Sequence, residues 1–137
     1  MAEAPIDLIR WEGDGNSVVV QVTRRDGTDQ LAGEFQVETP FVRGSLKTSF
    51  APEDLREWQH ALDMLDTGHD IAWRDGTSAP GLFVERDEDD DRCRVTIRDH
   101  SMSLTAVTVA IPLTDAWFDD AYQRLDRVGE SFGLNAH

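Results

Sequence analysis

Five consecutive acidic residues, Asp87-Glu88-Asp89-Asp90-Asp91, form the densest group of potential ligands in the chain, and hard cations such as calcium take several carboxylate oxygens at once. The spacing does not suit them. An EF-hand loop needs ligands at alternate positions, a glycine at the sixth and a glutamate at the twelfth, and counting from Asp87 those two positions hold Arg92 and Arg98. The run therefore reads as a solvated, self-repelling loop tip that blunts sheet-edge association, or as a docking element for a basic partner.

Other reactive types are scattered. His60, His69 and His100 fall on different segments and His137 is the last residue; none has the H-x-x-x-H or H-x-E spacing that sets two ligands, or a ligand and a base, on one face. Cys93 is the sole cysteine and sits in the apolar row of a strand, where a thiol is inert packing. The chain has no G-x-S-x-G nucleophile turn, and Gly13-Asp14-Gly15 lacks both the lysine and the following helix of a phosphate loop. Neither a catalytic set, a metal site nor a cofactor is expected. Trp58 and Trp73 fit apolar rows. Trp117, between Ala116 and Phe118 and one residue off the main stripe, is a candidate partner contact, together with Glu85, Asp87, Glu88, Asp89, Asp90 and Asp91.

Composition narrows the partner. The 137 residues fit one domain spanning 1–137, and 27 acidic against 13 basic side chains give a net charge of −14. Such a charge disfavours nucleic acid and anionic membranes, both of which require clustered Lys or Arg, and it suits a basic protein. With 39% hydrophobic residues, four Trp and six Phe, the chain is too apolar for the disordered class. Its N-terminus lacks a basic region followed by an apolar one, and no apolar run nears the roughly 18 residues that span a bilayer. A cytoplasmic location is expected, and the lone cysteine fits a reducing compartment.

The elements that position these residues follow from periodicity. Ile6 to Trp11, the Gly13-Asp14-Gly15-Asn16 turn and Ser17 to Thr23 make a first hairpin, and Asp26-Gly27 marks a second turn. Glu34/Gln36/Glu38 alternate with Phe35/Val37, and Arg43/Ser45/Lys47/Ser49 with Val42/Leu46/Phe50. A loop at Pro40-Phe41 then pairs Glu38 with Arg43, Glu34 with Lys47 and Phe35 with Leu46, so that charge and core face agree. Pro52-Glu53-Asp54 opens a helix over about 52–67 with the stripe Leu55, Trp58, Leu62, Leu65, closed by Gly68. His69 to Trp73 is a short strand, and Gly81 to Glu85 and Arg92 to Arg98 flank the acidic run as a hairpin. Met102 to Ile111 is apolar on both faces and predicts a central strand covered by the two helices. Thr114 caps a second helix over about 115–132 with the stripe Phe118, Ala121, Leu125, Val128, Phe132, an Asp120–Arg124 pair and a stop at Gly133. The whole predicts an α+β domain with a twisted, largely antiparallel sheet of about seven or eight strands and two helices.

Three segments carry a resemblance: Gly44-Ser45-Leu46-Lys47-Thr48-Ser49-Phe50, the Pro52-Glu53-Asp54-Leu55-x-x-Trp58 helix start, and the apolar strand entering Pro112-Leu113-Thr114. With them the chain resembles, over most of residues 6 to 132, an uncharacterised family of small acidic actinobacterial proteins. More distantly it is similar to WapI-type immunity proteins of polymorphic toxin systems. The resemblance implies an intracellular, non-catalytic protein that neutralises a toxin domain by binding it. A small-ligand-binding or enzymatic sheet domain is the alternative.

If the acidic run is a solvated tip, calcium should leave the thermal unfolding midpoint where EDTA leaves it. A midpoint that rises and saturates at micromolar calcium, and does so no longer after Asp87, Asp89 and Asp91 become Asn, would reveal a built cation site.

Overall fold

The first hairpin turns on a left-handed pair, Asp14 at φ 55° and Gly15 at φ 83°, the conformation that matches the twist of the flanking strands. In the computed structural model of the protein, which describes residues 5–25, 27, 30–74, 80–87, 91–99 and 105–132, that hairpin joins β1 (Ile6–Gly13) to β2 (Asn16–Arg25). There follow β3 (Leu31–Glu38), β4 (Arg43–Phe50), α1 (Pro52–Asp66), β5 (Ile71–Trp73), β6 (Gly81–Arg86), β7 (Arg92–Arg98), β8 (Ala106–Pro112) and α2 (Asp115–Ser131). The fold is α+β and its described strand pairs are antiparallel.

The strands form two sheets of four, in the orders β1-β2-β3-β4 and β5-β6-β7-β8, which corrects the expectation of one sheet. The cause is α1. It takes the chain away from β4 after Phe50 and packs on β5, so the second meander starts afresh instead of extending the first. The β3–β4 register is the predicted one, with Glu38 opposite Arg43, Glu34 opposite Lys47 and Phe35 opposite Leu46. Irregularities elsewhere serve the core: a bulge between Asp7 and Ile9 lets both Leu8 and Ile9 reach full burial. Gly33 is required by crowding, since a Cβ there would lie 2.2 Å from the Gln21 carbonyl oxygen and 2.6 Å from the Phe50 ring.

The strand expected at Met102 to Ile111 is corrected too. Residues 100–104 lie outside the described residues, and β8 is an edge strand rather than a central one. Val109 and Ile111 are buried while Ala106, Thr108 and Ala110 face solvent. Alanine counts as apolar in a sequence pattern yet loses little by exposure, so an alternating strand passed for one buried on both faces.

Both helices start as their sequences indicate. The Asp54 carboxylate accepts the Ala51 N–H at 2.8 Å, and Thr114 Oγ1 accepts the Trp117 N–H at 3.2 Å. At the other end of α1, Gly68 takes φ +101°, and Arg86 Nη1 donates to the Leu65 carbonyl at 2.7 Å. Gly133 is outside the described residues, and α2 closes through Phe132 N–H to the Val128 carbonyl at 3.0 Å.

The helices are exchanged between the two meanders. α1 follows the first and packs on the first strand of the second, whereas α2 follows the second and packs on the first strand of the first. A tryptophan pair marks each contact. Trp117 of α2 stacks on Trp11 of β1, centroids 4.6 Å apart and planes 6° from parallel, and Trp58 of α1 meets Trp73 of β5 at 5.3 Å. Trp73 also stacks on Phe50 at 5.8 Å and on Phe35 at 6.1 Å, so one ring links both sheets and α1 within a continuous core.

Trp58 is fully buried, and its indole N–H has no acceptor among the described residues. Trp58→Ala should therefore cost about 3–5 kcal/mol in equilibrium unfolding. Trp58→Phe, which keeps most of the volume and removes the unpaired donor, should cost less than about 1.5 kcal/mol. A loss below about 1 kcal/mol for the alanine variant would mean that the α1 stripe is not packed as described.

Candidate functional site

The β6–β7 hairpin carries the acidic tip, of which Glu85, Asp87 and Asp91 are described and Glu88, Asp89 and Asp90 lie outside the described residues. Its flanks are pinned and partly neutralised. Asp87 N–H bonds the Arg92 carbonyl at 3.0 Å, and Leu113 N–H bonds the Asp91 carbonyl at 2.7 Å. Arg94 lies 3.8 Å from Glu85 and 3.9 Å from Asp87, while Arg92 reaches across to Asp14 in the β1–β2 turn at 2.8 Å. The base of the tip is thereby tied to the first sheet and to the entry of α2.

Trp117 serves the fold. Half-buried, it stacks on Trp11, meets Phe118 edge-on at 5.1 Å and donates its indole N–H to the Arg10 carbonyl at 2.9 Å. Arg124, paired with Asp120 at 2.6 Å, donates to the Asp7 carbonyl at 3.3 Å. Together they cover the outer edge of β1.

The fold sorts the charge. The eight strands carry nine basic and five acidic residues, and the two helices three basic and ten acidic. The helices alone thus hold half of the net −14. They touch one another, and Tyr122 of α2 donates to Asp63 of α1 at 2.5 Å. Glu53 and Glu57 of α1 and Asp119 and Asp126 of α2 are exposed, and the sequence reading, drawn to the consecutive run, did not single out these helical carboxylates. The signal was available as two helices each carrying five carboxylates.

Of the grooves that open on the surface, two lie at contacts between elements of the fold. One, of about 740 Å³, runs between α1 and β5 and is lined by Glu53, Arg56, Glu57, His60, Met64 and Arg74 among others. The other, of about 280 Å³, lies between the β3–β4 hairpin and the β7–β8 end, walled by Phe35, Val37, Val42, Leu46, Ile97 and Val107. Among the described residues no group of three or more His, Cys, Asp or Glu could hold a metal ion.

The groups whose titration the fold shifts are structural. Burial pushes the Cys93 thiol up to about 12. Burial, reinforced by the Asp63 hydrogen bond, raises the Tyr122 phenol. Hydrogen bonds to Asp7 and Glu12 raise Arg10. Desolvation lowers Arg74, opposed by Asp54 and Glu57; its guanidinium donates to Thr48 Oγ1 at 3.2 Å and the Ser49 carbonyl at 2.9 Å and lies 4.9 Å from the centre of the Phe50 ring. It joins β4 to the end of β5.

The fold and surface thus define a two-sheet α+β protein with an acidic pair of helices, and no helix among the described residues is long and apolar enough to cross a membrane. The chain belongs to a family of unknown function, DUF5959, whose model matches residues 6–133. No curated protein matches it in sequence.

The Cys93 thiol is fully buried and should resist alkylation at pH 8 until the protein unfolds. Its raised pKa also has a sign: the unfolded thiol ionises from about pH 9 while the folded one stays neutral to about 12, so stability falls as pH rises through that window. Cys93→Ala should flatten that part of the alkaline stability profile. Rapid modification of the native protein at pH 8 would contradict the burial.

Proposed function

We propose that this is a non-catalytic binding module that holds a basic protein partner, in the manner of an immunity or inhibitor protein and working in the cytoplasm. The observation that carries the reading is the partition of charge, with half of the net −14 on two adjoining helices and the strands net basic. Fields of one sign on one side of a protein steer an oppositely charged partner and raise its association rate. We take the partner to be a toxin domain, as the distant resemblance of the sequence motifs to WapI-type immunity proteins implies.

The groove between α1 and β5 favours a second reading. Its volume of about 740 Å³ lies within the range of small-ligand sites, so a ligand-binding role is the alternative. Its lining of Glu53, Glu57, Arg56 and His60 is more charged than such sites usually are, which ranks it second.

The test starts with capture from a lysate of the source organism and continues with the identified partner in purified form. Association should slow steeply between low and physiological salt, since exposed charges beyond about 8–10 Å become screened. Glu53→Gln, Glu57→Gln, Asp119→Asn and Asp126→Asn together should slow it by about tenfold or more at low salt, and Asp87, Asp89, Asp90 and Asp91 to Asn by less. Recovery of no basic protein, or an association rate indifferent to salt and to both variants, would sink the proposal.

A further inference from the structure

Phe41, in the turn between β3 and β4, is 95% exposed, and among the described residues it is the large apolar side chain left in water. Single exposed apolar residues are common, but this one is presented by a fixed backbone. Pro40 before it has a restricted φ, and Thr39 Oγ1 accepts the Phe41 N–H at 3.0 Å and the Val42 N–H at 2.8 Å. The Thr39 N–H closes the hairpin on the Val42 carbonyl at 2.7 Å. A side chain held in this way loses little backbone freedom when something binds it.

The ring also adjoins further apolar surface. Val42, the next residue, and Leu46 are half-buried walls of the groove of about 280 Å³ that runs on to Ile97 and Val107, and apolar area gathered in one place marks an interaction surface. Charge selects what binds there. The turn lies beside the β1–β2 turn, where a Cβ on Gly15 would come 3.7 Å from the Pro40 ring, and Asp14 of that turn meets Arg92, at the base of the acidic tip, at 2.8 Å. Over the described residues of these three connections, 12–17, 38–43, 87 and 91–92, five carboxylates stand against two arginines. Both arginines already lie beside a carboxylate, Arg92 on Asp14 and Arg43 at 3.9 Å from Glu38. A second copy of a −14 chain and an anionic membrane are both repelled by such a surround. A protein with an apolar pocket rimmed by Lys and Arg matches it in shape and in sign.

We infer that Phe41 is the anchor by which this protein holds its basic partner, entering an apolar pocket there while the groove beside Val42 receives a side chain of the partner. The assignment rests on the reading of a basic protein partner and divides the work of binding. The helical carboxylates set the rate of encounter, and the ring sets how long the complex lasts, because buried aromatic anchors act mainly on dissociation.

Phe41→Ala should leave thermal unfolding of the free chain unchanged, since the ring is in water. Against the basic protein captured from the source organism and then purified, it should speed dissociation by about thirtyfold or more, with the association rate and its salt dependence as in wild type. Phe41→Trp should keep most of the lifetime. Glu53→Gln, Glu57→Gln, Asp119→Asn and Asp126→Asn together should do the reverse, slowing association and sparing dissociation. If Phe41→Ala leaves dissociation unchanged while salt and the helical variant still slow association, the anchor is wrong and the basic partner stands. Capture of no basic protein sinks both. Self-association in sedimentation, or binding to phosphatidylcholine vesicles, that wild type shows and Phe41→Ala lacks would give the turn to a second copy or to a lipid surface and overturn the assignment.

Discussion

The arrangement rests on the two tryptophan contacts that bind each helix to the first strand of the opposite meander. Aromatic pairs at these separations, stacked for Trp11–Trp117 and tilted by 46° for Trp58–Trp73, contribute beyond their buried area, and here each is supplemented by a directed bond. The Trp73 indole N–H donates to the Asp54 carbonyl at 2.8 Å, from strand to helix, and the Trp117 indole donates to the Arg10 carbonyl at 2.9 Å, from helix to strand. Without the first contact α1 would lose its seat on β5; without the second, the outer edge of β1 would be bare. The common core, running from Leu8 to Phe132, is a result of this exchange.

The same exchange separates the tasks of the charged residues. Arginines on strands are spent in short-range work: Arg94 beside Glu85 and Asp87, Arg92 on Asp14, Arg86 on the end of α1 and over the Phe118 ring at 5.9 Å. Arg74, at φ 66° and nearly buried, is held by aromatic faces and backbone oxygens that offset its desolvation. The acids of the helices face water and make few such bonds. Fold and field therefore draw on different residues, and the field can vary with little consequence for packing.

Where local signals agreed, the sequence was readable. The β3–β4 register was legible because period-two alternation and opposite charges selected the same pairing, and the helix starts because Asp54 and Thr114 stand at capping distance from free N–H groups. The division into two sheets was not, since nothing local says whether a strand after a helix rejoins the old sheet or founds a new one. β8 was misplaced because its outward alanines are indifferent to water. Trp117 looked available because it lies off the α2 stripe; its neighbour is an edge strand reached from the side, which a helical projection does not represent. Of the candidate site, the acidic run was plain in the sequence, whereas the paired helical surface needed two segments far apart in the chain to be brought together.

The order in which the polypeptide is made has a consequence here. The element that covers β1 is the last to emerge, more than a hundred residues later, a wait of roughly 5–20 seconds at usual translation speeds. Through that interval the first meander, unless sheltered by the ribosome or a chaperone, has neither its edge cover nor the ring that shields Trp11. Nascent chains on one messenger are then exposed to each other at their stickiest. Negative charge spread along the connections gives these unfinished molecules a mutual repulsion that acts before the fold can protect itself, and this would select for acidity whatever the finished protein binds.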